Sequence, residues 1–375
     1  MKHNYIRALL LLILLILPGI LFAVAAGAVE DQITIFVPAF QGPKALGQSV
    51  ATIVNLQIWQ TLRKAPTPNP YNLSFGSGLV SWSSQMLDEP SHEHAEKVAR
   101  RINVLAQFVL WGKVYSYGDG AIAQAYLTIP KYYDFREQRH ELWTILIPLS
   151  EGSITIQSDI PKRRYAFEPI ILTKEIIKAY SLPNSLPLYK ARNSSQVIGS
   201  VGDEYLALEH DAGMVEVKSG EVTGWVHLPL LSKNRSEVVD FVGGLIRIFR
   251  SDWQGASSLF QKVIRHRNTP NELKVDAYLL LGLANAKRGK SSLEQMRAAY
   301  ELNRYARRSV QYWGMSCFDE FNRAGRTTSD GERQRLLLKE LKNLIQNHRY
   351  LFLSTDPWLN KALEAIDRLE NVMRN

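Results

Sequence analysis

The sequence predicts a multidomain α+β protein with three parts: an N-terminal α/β domain, a small β-barrel and a C-terminal α-solenoid of helical hairpins. Three observations predict it. Residues 30–182 alternate short apolar runs with stretches of helical apolar spacing. Residues 183–233 break into five short runs separated by Gly-bearing turns. Residues 236–375 carry helical spacing throughout, in segments that come in pairs. A chain of 375 residues suits two or three domains, and 46% hydrophobic with 22% charged residues is ordinary globular composition.

The first element is an export signal. Lys2 and Arg7 precede an aliphatic run over residues 8–17, which Pro18-Gly19 breaks. Ala23-Val24-Ala25 and Ala26-Gly27-Ala28 are small-residue sites suited to signal peptidase. Residues 1–28 thus have the three-part anatomy of a secretory signal peptide. Residues 8–29 are also just long enough to span a bilayer as a retained anchor. The Pro-Gly break and the two cleavage-like sites favour removal. The expected location is periplasmic or secreted, and the alternative is an inner-membrane anchor carrying a periplasmic body. A single cysteine, Cys317, excludes an internal disulfide framework, so the domains rest on ordinary cores.

In the first domain, Ile33-Thr34-Ile35-Phe36-Val37-Pro38 reads as a buried strand. Val50, Ile53, Val54, Ile58 and Leu62 then have helical spacing, and the Pro-rich residues 65–70 stop that helix. Residues 72–83 are extended. Ser91 caps a helix running to about Val104, with Glu93 and Glu96 in its first turn. A strand over residues 108–115, a turn at Gly118-Asp119-Gly120 and a returning strand over 121–129 form a hairpin. Residues 132–181 keep strand character at 141–147, 154–156 and 167–172, followed by a short helix near 174–180, and extend the same domain. Lys162-Arg163-Arg164-Tyr165 reads as a solvated basic loop. This order, with Ala106-Gln107-Phe108-Val109-Leu110-Trp111-Gly112-Lys113-Val114, resembles the α/β domain of the TolB amino-terminal and curli-secretion (CsgG) type. That resemblance covers roughly residues 33–129 and implies protein–protein contact in the bacterial envelope.

The middle module holds strands near Leu186–Arg192, Val197-Ile198-Gly199, residues 206–209, Met214-Val215-Glu216-Val217 and Gly224-Trp225-Val226. Val201-Gly202-Asp203 and Gly220 fall between them, and the whole is similar to a bacterial SH3-like domain. The resemblance implies a ligand groove with Trp225 and Tyr189 as candidate contacts. Met214 stands where that family usually has a groove aromatic. Trp225 is then either a ligand contact, for peptide or peptidoglycan, or the core of a packing module.

Helical segments follow at 238–249, 252–264, 277–287, 292–303, 310–321, 332–346 and 357–374. Ala256, Phe260 and Val263 with Pro270, then Leu281-Gly282 with Gly289, resemble tetratricopeptide repeats. The resemblance implies that Trp253, Ala256, Phe260, Leu281 and Gly282 pack neighbouring helices and that the array binds protein partners. From Arg235 onward there are 24 Lys and Arg against 16 Asp and Glu, a net of +8, while the rest of the chain has 21 against 20. The basic part favours acidic partners, although solvated helix faces explain it as well. Nucleic acid is a poor candidate partner outside the cytoplasm.

Catalytic chemistry finds little footing. The histidines of His92-Glu93-His94 are two apart and diverge on a helix, unlike a zinc-protease pair four apart. No phosphate-binding Gly-rich loop or cofactor motif is present in the sequence, and Cys317 lies in an apolar helix without a nearby His. The expected function is a non-enzymatic adaptor of the cell envelope. The rivals are a peptidoglycan-associated hydrolase or its accessory factor, and a membrane-anchored structural component.

Overall fold

A computed structural model describes residues 35–63, 79–101, 106–131, 143–149, 152–174, 177, 186–202, 205–211, 213–227, 237–325 and 331–374. The signal segment 1–28, the Pro-rich stretch at 65–70 and most of the helix expected near 174–180 lie outside them.

The first sheet grows around β1 (Ile35–Ala39), whose five residues are all buried. On β1 lie β2 (Leu79–Met86) and β3 (Phe108–Tyr117), both parallel to it. β3 turns at Gly118, with φ of +55°, into antiparallel β4 (Gly120–Thr128). Next come β5 (Trp143–Pro148), β6 (Ser153–Ser158), β7 (Arg164–Ala166) and β8 (Ile170–Leu172). The strand order is β2-β1-β3-β4-β7, with β8 also paired to β4.

Both faces of this sheet are covered, which is why β1 is apolar at every position. Ile35, Val37, Phe108 and Leu110 share a core with helix α1 (Lys44–Arg63). Phe36, Val109 and Trp111 pack on the opposite face with Ala95 and Ala99 of α2 (His92–Arg101). Ser91 caps α2 as expected: its Oγ accepts from the His94 amide at 3.1 Å.

The described part of residues 132–181 divides in two. β7 and β8 join the first sheet, but β5 and β6 form a separate hairpin. Its inner residues Trp143, Ile145, Ile147, Ile154 and Ile156 are buried while alternate ones are exposed. They pack on two C-terminal helices described below.

In the middle, β9 (Pro187–Tyr189), β10 (Val197–Ser200), β11 (Leu206–Asp211), β12 (Met214–Ser219) and β13 (Val222–His227) form one antiparallel sheet, ordered β10-β9-β13-β12-β11. All five expected strands are present, but the expected barrel is not closed: among the described residues the strand order ends at β10 on one side and β11 on the other. Register shifts near Val197 and at Ala207/Glu209 bend both edge strands. The β11 side meets α1 instead of curling back to β10. There Asn55 Nδ2 donates to the Tyr205 hydroxyl at 2.6 Å, and the Trp59 and His210 rings meet edge to face at 6.3 Å.

The helices are α3 (Glu237–Phe249), α4 (Trp253–Arg265), α5 (Asn271–Lys287), α6 (Leu293–Leu302), α7 (Arg307–Ala324), α8 (Gly331–His348), a short 3-10 turn (Arg349–Leu351) and α9 (Pro357–Arg374). Each packs on its predecessor, as stacked hairpins do, but the array is not a free-standing solenoid. α3 is buried from Glu237 to Ile248, wedged between α1 and α4. α7 and α9 carry the β5–β6 hairpin, tied by Asn322 Nδ2 to the Leu146 carbonyl at 2.8 Å and by the Tyr312 hydroxyl to the Asp159 carbonyl. One apolar core therefore runs from Ile35 to Leu369.

Candidate functional site

The middle sheet brings two of the expected binding residues together. Trp225 on β13 stands opposite Tyr189 on β9 and opposite Glu216 on β12, so these side chains share one face. The other face is apolar: Leu188, Val215, Val217 and Val226 are fully buried. Gly224 follows from close approach, since a Cβ there would lie 3.0 Å from the Tyr189 carbonyl oxygen and 3.2 Å from Leu188 and Ile198 side-chain carbons. The Gly-Trp sequence thus puts a residue without a side chain against the core and its large neighbour on the outside.

Arg192 completes the face. Its guanidinium carbon lies 5.4 Å from the Trp225 ring centroid, and it pairs with Asp211 at the end of β11. Arg192 and Asp211 are about half exposed, so the pair itself adds little stability. Its consequence is geometric, because it joins the loop after β9 to the turn after β11 beside the indole. Sequence reasoning missed both residues. They are 19 positions apart and meet only when the sheet forms.

Met214 lies on the same face but is 6% exposed, opposite His227. It is enclosed there and offers no groove surface. Beside the aromatic pair, Val197 on the β10 edge stands opposite Tyr189 and is 50% exposed, while Ile198 and Val222 lie on the Gly224 side of the sheet. An indole, a phenol, a guanidinium–carboxylate pair and an apolar edge can stack, hydrogen-bond and accept an extended ligand. None of these groups is an activated nucleophile.

The expected repeat residues serve packing. Ala256 and Phe260 are fully buried, and the Phe260 ring fills the space left by Gly244, where a Cβ would lie 2.8 Å from it. Leu281 is 5% exposed, and Gly282 leaves room for Met296, whose Cε would be 2.4 Å from an added Cβ. Trp253 is half-buried at the start of α4, with the Lys287 ammonium 5.8 Å from its ring centroid.

Other chemistry-bearing residues are occupied structurally. His92 Nδ1 is 2.9 Å from Thr128 Oγ1, and its ring meets Trp111 and Tyr126 edge-on at 5.2 and 6.0 Å. Burial, reinforced by the Arg164 charge, holds the His92 pKa below the ordinary histidine value. Within the cluster read as a solvated loop, Arg163 pairs with Asp159 and Arg164 with Glu93, each at 2.5 Å, while Tyr165 is 1% exposed in the core. Cys317 is also buried, and burial pushes its thiol well up, which suppresses the reactive thiolate. Among the described residues no group of three or more His, Cys, Asp or Glu side chains could hold a metal ion, and no helix is long and apolar enough to cross a membrane. The chain matches no family model, no curated protein and no solved structure.

Proposed function

We propose that this chain is an exported, non-enzymatic adaptor of the bacterial cell envelope. It binds a peptide or peptidoglycan segment on an SH3-like middle module and holds protein partners on its tetratricopeptide-like helices. The observation that carries the reading is the shared face of Tyr189, Trp225 and the Arg192–Asp211 pair, beside the exposed apolar edge of β10. Such a face is suited to holding a ligand, and the buried Cys317 lends the rival hydrolase reading no nucleophile. The basic excess of residues 235–375 favours acidic partners for the helices. The apolar run at residues 8–29 supports export, and retained it would make the same body a membrane-anchored component.

Affinity capture from envelope extract tests the adaptor reading, and sedimentation with isolated cell wall tests glycan binding. Trp225→Ala should reduce recovery of whatever binds the middle sheet by about tenfold or more, as loss of a central aromatic anchor does. The fold should survive, because the indole is only half-buried. Unchanged recovery in both assays would remove the middle sheet from the binding role. N-terminal sequencing of the mature chain separates the cleaved from the anchored form.

A further inference from the structure

At one end of the helical array, the α6–α7 connection and the turn after α8 come together. The Tyr300 hydroxyl lies 3.0 Å from His348 Nε2, and their rings meet edge to face at 5.3 Å. His348 stacks in turn on Tyr350 at 6.2 Å. The Arg304 guanidinium sits 5.9 Å from the Tyr300 ring centroid, and that of Arg307 5.6 Å from the Phe352 ring. Tyr305 and Tyr350 lie close enough to Tyr300 to act on its phenol electrostatically. These contacts make a firm base.

From that base four apolar or amphipathic side chains project. Tyr305 is 77% exposed, Leu353 76%, Tyr350 66% and Leu302 39%. The cations among them are unequal. Arg307 is held by Asp356 at 2.5 Å, whereas Arg304 and Arg349 have no carboxylate partner among the described residues. Nearby Arg308 is consumed by Asp276 and Glu272, both at 2.6 Å.

Tyrosines with an apolar ring and a wet hydroxyl, leucines at loop tips and unpaired guanidiniums between them match the interfacial zone of a bilayer. Side chains this exposed project outward and press into a soft surface. We propose that this end of the helical array docks peripherally on an anionic phospholipid surface. Leu353, Tyr305 and Tyr350 enter the headgroup–acyl boundary, and Arg304 and Arg349 meet the phosphates. The net charge of +8 from residue 235 onward supplies a field of the right sign. The inference goes beyond the adaptor reading and does not depend on the middle sheet.

Site-specific fluorescence on the full chain tests it. Cys317 is 1% exposed, so a polarity-sensitive thiol label reacts at an introduced Leu353→Cys. Vesicles of phosphatidylcholine with about a quarter phosphatidylglycerol should shift that label's emission to the blue and raise it, reversibly by salt, whereas pure phosphatidylcholine should not. A label at Ser195→Cys, in the middle module, should stay unshifted. Removing both free cations (Arg304→Gln with Arg349→Gln) should lower vesicle affinity roughly thirtyfold. The proposal is overturned by no shift at position 353 on anionic vesicles, even where residues 8–29 hold the chain on the membrane. Equal shifts at 353 and 195 also overturn it, as does a response at 353 to polyglutamate but not to vesicles, which would assign the patch to an acidic protein.

Discussion

At the scale of single residues, two buried charges set conditions on the fold. Asp276 has no exposed surface; one carboxylate oxygen accepts from Arg308 Nε at 2.6 Å, and the other has no hydrogen-bond partner among the described residues. Burial pushes its pKa up to about 6, against the attraction of Arg308. The folded chain therefore holds a proton that the unfolded chain, with an ordinary aspartate value of about 3.9, has already released. The stability this carboxyl contributes is full below about pH 4 and is lost as pH rises through about 6. Urea unfolding at pH 4.5 and 7 checks this: Asp276→Asn should gain on the native protein with rising pH, on the order of 2 kcal/mol. A difference independent of pH refutes it. Arg247, 3% exposed, is the second charge. Its Nη2 donates to the carbonyls of Leu62 at 2.9 Å and Thr61 at 3.3 Å, closing the C-terminus of α1, and its Nη1 pairs with Asp252. Arg247→Met should lower the urea midpoint by an amount equivalent to about 2–4 kcal/mol at unchanged m-value. The position of Trp225 was legible in the sequence from its Gly-punctuated frame. The Arg192–Asp211 partnership was not, because cross-strand neighbours depend on register, which local patterns do not contain.

At the scale of elements, period-two and helical spacing located nearly every strand and helix among the described residues, and failed where packing rather than periodicity decides. The spacing of Val50, Ile53, Val54, Ile58 and Leu62 shows one apolar face, yet Gln48, Ser49, Thr52, Asn55 and Gln57 are buried too. A sheet, a helix and the Tyr205 hydroxyl surround α1, so its polar face is buried as well. The β5–β6 hairpin carries the clearest element-scale prediction. Its strand character was legible, but nothing local said that partners on the covering helix would lie 153 positions away. Ile156 is fully buried beneath them. Ile156→Ala should cost about 2–4 kcal/mol in chemical unfolding, while exposed Leu146→Ala, on the same hairpin, should cost under about 0.5. Equal small effects would mean that the hairpin does not seal the helices.

At the scale of the molecule, three sequence segments with different patterns end in one core, and this bears on how an adaptor would work. In a chain of separable modules a ligand on the middle sheet would leave the helices indifferent. Here the middle sheet touches α1 through Asn55 and Tyr205, and α1 touches α3 through Leu62 and Arg247. The Phe241 ring of α3 packs within 4.8 Å of Tyr165, 5.8 Å of Phe167 and 5.7 Å of Phe260, joining the first sheet to the helical array. Glu237, at the start of α3, accepts from the Glu168 amide at 2.7 Å. The helical part alone would expose all of this: α3, buried nearly end to end, and the faces of α7 and α9 that carry the hairpin. Residues 236–375 expressed alone should therefore lack a cooperative thermal transition or associate through these surfaces. The intact chain should unfold in one step, with far-ultraviolet circular dichroism and tryptophan fluorescence superimposable across the transition. Independent melting of the fragment at the temperature of the intact chain would show that the shared core is contact without dependence. Binding at the sheet and binding at the helices would then be separate events, each with its own affinity and no coupling between them.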